Sequence, residues 1–121
     1  MELWWESTGA DGGGRAVVFL HAAIADARMW QPQWERFGAT YRLMRCDLAG
    51  FGRTGLTSGT HSHAADVLAT LDRAGIDSCV LVGASMGGRV ALELAAAYPA
   101  RVLGLVLVAP GLPGHDWSRS R

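Results

Sequence analysis

The pentapeptide Gly83-Ala84-Ser85-Met86-Gly87 constrains this chain more than any other stretch, because of what flanks it. Cys79-Val80-Leu81-Val82 reads as a buried strand, and Arg89 to Tyr98 as a helix that Pro99 stops. G-x-S-x-G between a strand and a helix is a sharp, strained turn that tolerates only Gly or very small residues beside the serine. The strain lifts the serine hydroxyl out of the sheet, within reach of a carbonyl. The helix that follows directs its free N–H groups and positive dipole end at the same place. Ser85 is therefore the expected nucleophile, and the N–H of Met86 one expected donor to an oxyanion. A dinucleotide fingerprint would need G-x-G-x-x-G after the strand, and here serine stands where the second Gly belongs.

Strands and helices alternate along the rest of the chain. Leu3 to Glu6 reads as a short strand, and Ala16-Val17-Val18-Phe19-Leu20 as a continuous apolar one ending at His21. Ala27 to Phe37 has helical spacing, with Met29, Trp30, Trp34 and Phe37 as expected buried positions; Pro32 fits near its first turn. Tyr41 to Cys46 is the next strand. Ala64 to Ala74 is a helix with Val67, Leu68 and Leu71 on one face and Gly75 as its stop. Arg101 to Ala109 is the last strand. The strands are apolar on both faces, which predicts an α/β fold: a three-layer parallel sheet with helices on both faces. No repeat or linker divides the 121 residues, which read as one domain.

Composition removes several function classes. The formal net charge is zero, so no nucleic-acid partner or anionic membrane surface is expected. All eleven basic residues are Arg, which excludes a P-loop lysine, a Schiff-base lysine and a Ser–Lys dyad. The N-terminal residues lack the basic and apolar regions of a secretory signal, and no apolar run is long enough to span a bilayer. Cys46 and Cys79 both fall in expected strands and read as small, buried, reduced residues of a cytoplasmic protein.

An acyl-transfer site needs a second oxyanion donor, from the loop after the strand that ends at Leu20. Ala23 is the expected one. His21, inside that loop, is expected to hold its backbone rather than to serve as the base. His61-Ser62-His63 has no Cys or carboxylate to complete a metal site, and is expected to cap and solvate the helix that follows. Gly9 to Gly14 reads as a flexible loop, not a phosphate cradle, because no helix follows it.

Taken in order, these segments resemble the α/β-hydrolase family across essentially the whole chain. Val17-Val18-Phe19-Leu20-His21-Ala22-Ala23 is similar to its strand and oxyanion loop, and Arg28-Met29-Trp30-Gln31-Pro32-Gln33 to its first helix. Asp47-Leu48-Ala49-Gly50-Phe51-Gly52-Arg53-Thr54 resembles its D-x-x-G-x-G-x-S turn, and Val80 to Gly88 its nucleophile elbow, with Gly83 and Gly87 as the elbow glycines. The resemblance implies a strand order in which the Ala16 strand lies between the Tyr41 and Cys79 strands, with the Arg101 strand at the far edge. It implies a serine hydrolase, similar to esterases and lactonases, acting on an ester, lactone or related carbonyl compound with no cofactor and no metal. Ala22 and Ala23 depart from the family, standing where Gly is common.

The resemblance also implies a truncated core, since the family's cap, acid and late histidine follow the last strand seen here. His115 and Asp116 are poor substitutes, because an imidazole must reach both the serine and its acid. Three functions are then open: a fragment of a serine hydrolase, a hydrolase completed by another chain, or a non-catalytic interaction domain. The strand over residues 102–108 is expected to have an open edge through which copies self-associate.

Overall fold

The computed structural model describes residues 1–9, 15–56 and 62–110. The expectations for the loop at residues 10–14, for His61, and for His115 and Asp116 lie outside the described residues. The ordered elements are β1 (Trp4–Thr8), β2 (Ala16–Leu20), α1 (Gln31–Phe37), β3 (Arg42–Asp47), α2 (His63–Arg73), β4 (Cys79–Ala84), α3 (Met86–Ala97) and β5 (Val102–Val108). Short 3-10 turns at Ala27–Trp30 and Pro99–Arg101 precede α1 and β5.

The five strands form one sheet in the order β1-β3-β2-β4-β5. The strand order implied by the family resemblance holds. The expectation of a parallel sheet is corrected at one edge: β1 runs antiparallel to β3, while β2, β3, β4 and β5 are parallel. Both faces of β2 are used. Val18 and Leu20 join a core with Val67 and Leu71 of α2 and Val90, Ala91 and Leu94 of α3. Phe19 packs on the opposite face with Trp30 and Leu43. That is why the strand reads as an unbroken apolar run rather than an alternation. Each large side chain buried this way stabilises the fold by about 1.5–3 kcal/mol.

Arg45 is a charge within a central strand, and its surroundings account for it. It is buried, donates to Glu6 Oε1 (2.6 Å from Nε) and Gln31 Oε1 (2.9 Å), and stacks over the Trp34 ring at 4.3 Å. Cys46 and Cys79 are free and buried on strands separated by β2, about 10 Å apart at two strand spacings, too far for a disulfide. Burial pushes the Cys46 thiol up to about 12, helped by the negative charges of Asp47 and Asp66, and the Cys79 thiol up to about 11. Neither is a thiolate nucleophile.

Several boundaries and two burials differ from expectation, β1 running over Trp4–Thr8 rather than Leu3 to Glu6. The Ala27–Phe37 segment is a 3-10 turn followed by α1, so its side chains do not keep one 3.6-residue face. Trp30 is buried, but Met29 and Phe37 are 39% and 40% exposed. Helix α3 starts at Met86, directly after Ser85, rather than at Arg89. Ser62 caps α2 as expected, its Oγ accepting from Ala65 N–H at 3.2 Å.

Candidate active site

Three loops meet at the C-terminal ends of the parallel strands: residues 21–26 after β2, residues 48–56 after β3, and the β4–α3 junction. Ser85 is the whole of that junction. Its backbone is at φ 51°, ψ −113°, a conformation that L residues rarely adopt. Its N–H donates to Val108 O at 2.9 Å, and its carbonyl accepts from Arg89 N–H at 3.1 Å. The side chain is exposed. A strained backbone held by β5 on one side and α3 on the other thus presents a hydroxyl beyond the C-terminal end of β4.

The expected elbow glycines are where close approach requires them. A Cβ on Gly87 would run into Leu20 O and lie 2.7 Å from His21 O. A Cβ on Gly83 would lie 2.5 Å from Gly87 O and 2.7 Å from Gly88 Cα. The first turn of α3 is therefore pressed onto the end of β2, at the start of the 21–26 loop. Leu20 pairs with Gly83 in the sheet, so Ala23 and Met86 each lie three residues beyond a paired position. Ala23 is exposed and Met86 half-buried. As the first residue of α3, Met86 lies in the turn whose N–H groups have no partner within the helix.

His21 is fully buried, and its two contacts define its tautomer. Nε2 accepts from Leu48 N–H at 2.8 Å, so Nδ1 carries the hydrogen and donates to Ala22 O at 2.8 Å. Both ring nitrogens are committed to backbone, as expected for a residue that holds the loop.

Asp47 has a role that the sequence reading missed. Its buried carboxylate accepts from Ala27 N–H (2.7 Å, Oδ1), from Arg53 N–H (2.9 Å, Oδ2) and from Arg53 Nε (3.0 Å). It clamps the far end of the 21–26 loop to the turn after β3, while His21 clamps the near end. The D-x-x-G-x-G pattern was the available signal, since Gly52 lies against this carboxylate where no Cβ fits. Asp26 caps the 3-10 turn, accepting from Arg28 N–H at 2.9 Å. The Arg28 guanidinium bonded to it holds its carboxyl down at about 2.

Among the described residues, no group of three or more His, Cys, Asp or Glu side chains is arranged to hold a metal ion. No described helix is long and apolar enough to cross a membrane.

Residues 15–120 match the family model described as alpha/beta hydrolase fold. The chain belongs to the α/β-hydrolase fold family. It is 32% identical over 120 residues to a pimeloyl-[acyl-carrier protein] methyl ester esterase of Cronobacter sakazakii, a match covering 96% of this chain and 44% of that one. Among solved structures it resembles a thermophilic esterase from Thermogutta terrifontis (TM-score 0.86, 31% identity, 96% of this chain, 43% of that one). It also resembles an enol-lactonase from Burkholderia xenovorans LB400 (TM-score 0.80, 27% identity, 85% of this chain, 41% of that one). The chain spans less than half the length of these relatives.

Proposed function

We propose that this chain carries the nucleophile and oxyanion hole of a serine hydrolase that transfers the acyl group of an ester, lactone or similar small carbonyl compound to water. One observation carries the reading: Ser85, exposed and at φ 51°, ψ −113°, between a parallel strand and a helix. Ser85 Oγ adds to the carbonyl carbon as its proton passes to a base. The N–H groups of Met86 and Ala23 hold the resulting oxyanion. Collapse expels the alkoxide as an alcohol and leaves an acyl-serine, which water then hydrolyses. Both ring nitrogens of His21 are committed to backbone, so His21 is not this base; the resemblance to the family assigns the base to a histidine outside the described residues. No cofactor is needed for these steps.

A phosphonate warhead tests the assignment. Incubation of the chain with a fluorophosphonate, followed by peptide mapping, is expected to show slow, single-site labelling at Ser85 that Ser85→Ala abolishes. Labelling unchanged in Ser85→Ala would overturn it. Fast stoichiometric labelling would show that a working base is already present in these 121 residues.

A second reading, in which another polypeptide completes the domain, is favoured by one feature of the sheet. Beside α1, the face formed by Val80, Val82, Val106 and Val108 carries no helix among the described residues and floors a cleft of about 490 Å³. Parallel strands ordinarily have both faces covered. In that reading activity appears only with the partner.

A further inference from the structure

Three non-glycine residues among those described have positive φ: Ile24 (59°), Ser85 (51°) and Ala109 (44°). They follow β2, β4 and β5, which are adjacent in the sheet. Among the described residues, non-glycine backbone strain is therefore concentrated around one spot, the mouth of the proposed site. Ser85 has an explanation in the elbow, and Ala109 follows Val108, whose carbonyl holds the elbow. Ile24 has none among the described residues.

Ile24 carries two penalties. Ala25 N–H donates to Ala22 O at 3.3 Å, making residues 22–25 a β-turn with Ile24 at its third position. Positive φ there suits Gly or Asn and is unfavourable for a β-branched residue. The side chain is also 100% exposed, so no internal packing offsets the strain. An apolar group held in water at a strained position, one residue after Ala23, is placed to touch something that enters the site.

We propose that Ile24 is a substrate-specificity residue, forming the apolar wall against which the aliphatic chain flanking the reacting carbonyl packs. The proposal rests on the reading of Ser85 and Ala23 above, and adds that substrates with an alkyl chain of several carbons are preferred to short ones. The burial of each additional methylene against Ile24 supplies the discrimination.

The sequence makes a direct test simple. The chain has two isoleucines, Ile24 and Ile76, and Ile76 is buried at 2% exposure. A spectrum of 13C-labelled Ile δ1 methyls therefore has one reporter and one internal control. Titration with methyl hexanoate is expected to move the Ile24 methyl saturably and leave Ile76 in place, with methyl acetate moving Ile24 far less. The same shifts are expected in Ser85→Ala, whose loss of phosphonate labelling reports separately on the nucleophile. Ile24→Gly is expected to weaken methyl hexanoate binding several-fold while its Tm stays level or rises. An Ile24 methyl unmoved by methyl hexanoate, or moving only together with Ile76, overturns the proposal. So does wild-type affinity in Ile24→Gly.

Discussion

His21 Nε2 accepts the backbone N–H of Leu48 at 2.8 Å, joining the loop after β2 to the turn after β3 inside the core. The bond spans 27 residues of sequence and lies on a fully buried side chain. With Asp47 gripping Ala27, it fixes both ends of the segment that contains Ala23.

Removing that ring leaves a buried donor without an acceptor. His21→Ala is expected to cost about 1–3 kcal/mol for the orphaned Leu48 N–H alone, with the cavity adding to it. His21→Gln, which keeps an acceptor, is expected to recover part of the loss. Urea denaturation at neutral pH measures both. Equal stability of wild type and His21→Ala would show that the loop is held by other means.

The elbow predicts an inversion of the usual rule that larger side chains matter more. Gly87→Val forces a side chain into Leu20 O and His21 O. It is expected to be far more damaging than Ser85→Ala, whose hydroxyl is exposed. Backbone strain of about 1–3 kcal/mol is a floor for the former. Matching thermal melts for the two variants would argue against the close approach of α3 to β2.

Most of the fold is legible in the sequence, and the departures have physical causes. Ala16–Leu20 matches β2 residue for residue, because a five-residue apolar run is bounded by a charge and a histidine. The start of α3 was not legible. Gly87-Gly88 has poor intrinsic helix propensity, and the tight contacts of Gly87 with Leu20 and of Gly88 with Pro110 explain glycines inside a first turn. The direction of β1 was hidden for a similar reason, since an edge strand's apolar pattern is the same either way round. At the site, Ser85 and its glycines could be read from local spacing. The D-x-x-G-x-G pattern marks Asp47 and Gly52 as close neighbours, but the other half of the clamp depends on Ala27, twenty residues earlier, which no local spacing shows. The positive φ of Ile24 carries no signal in the sequence, where a β-branched residue gives no warning of a left-handed backbone.

Acid should loosen the same loop from its other side. The Asp26 carboxyl lies at about 2 in the fold, below its ordinary 3.8, chiefly through its hydrogen bonds with the Arg28 side chain. Between those values the unfolded chain binds more protons than the folded one. The contribution is therefore complete above about pH 4 and is lost as pH falls through about 2. Arg28 is largely exposed, so the effect is expected to be modest and to shrink with salt. Comparing Tm from pH 5 to 2 for wild type and Asp26→Asn checks it: the variant's curve should be flatter. Parallel curves would remove Asp26 as a contributor.

The outer edge of β5 is expected to govern the behaviour of the chain in solution. Strand β5 pairs with β4 on one side, and no described strand pairs with its other side. Its sequence, Val-Leu-Gly-Leu-Val-Leu-Val, has no charge and no proline to discourage a second strand. Leu103, Val106 and Val108 are each half or more exposed, so the unpaired backbone is flanked by apolar surface. These are the conditions under which strands of separate chains pair, and the 121-residue chain is expected to self-associate through β5. A lysine at an exposed position on this edge adds charge repulsion between copies without entering the core. Val106→Lys, at 50% exposure, is expected to shift the chain toward monomer, and Leu105→Lys, at 37%, to do so at more cost to stability. Light scattering at tens of micromolar reads the outcome. A monodisperse wild-type monomer with a cooperative melt would show that the β5 edge is already protected.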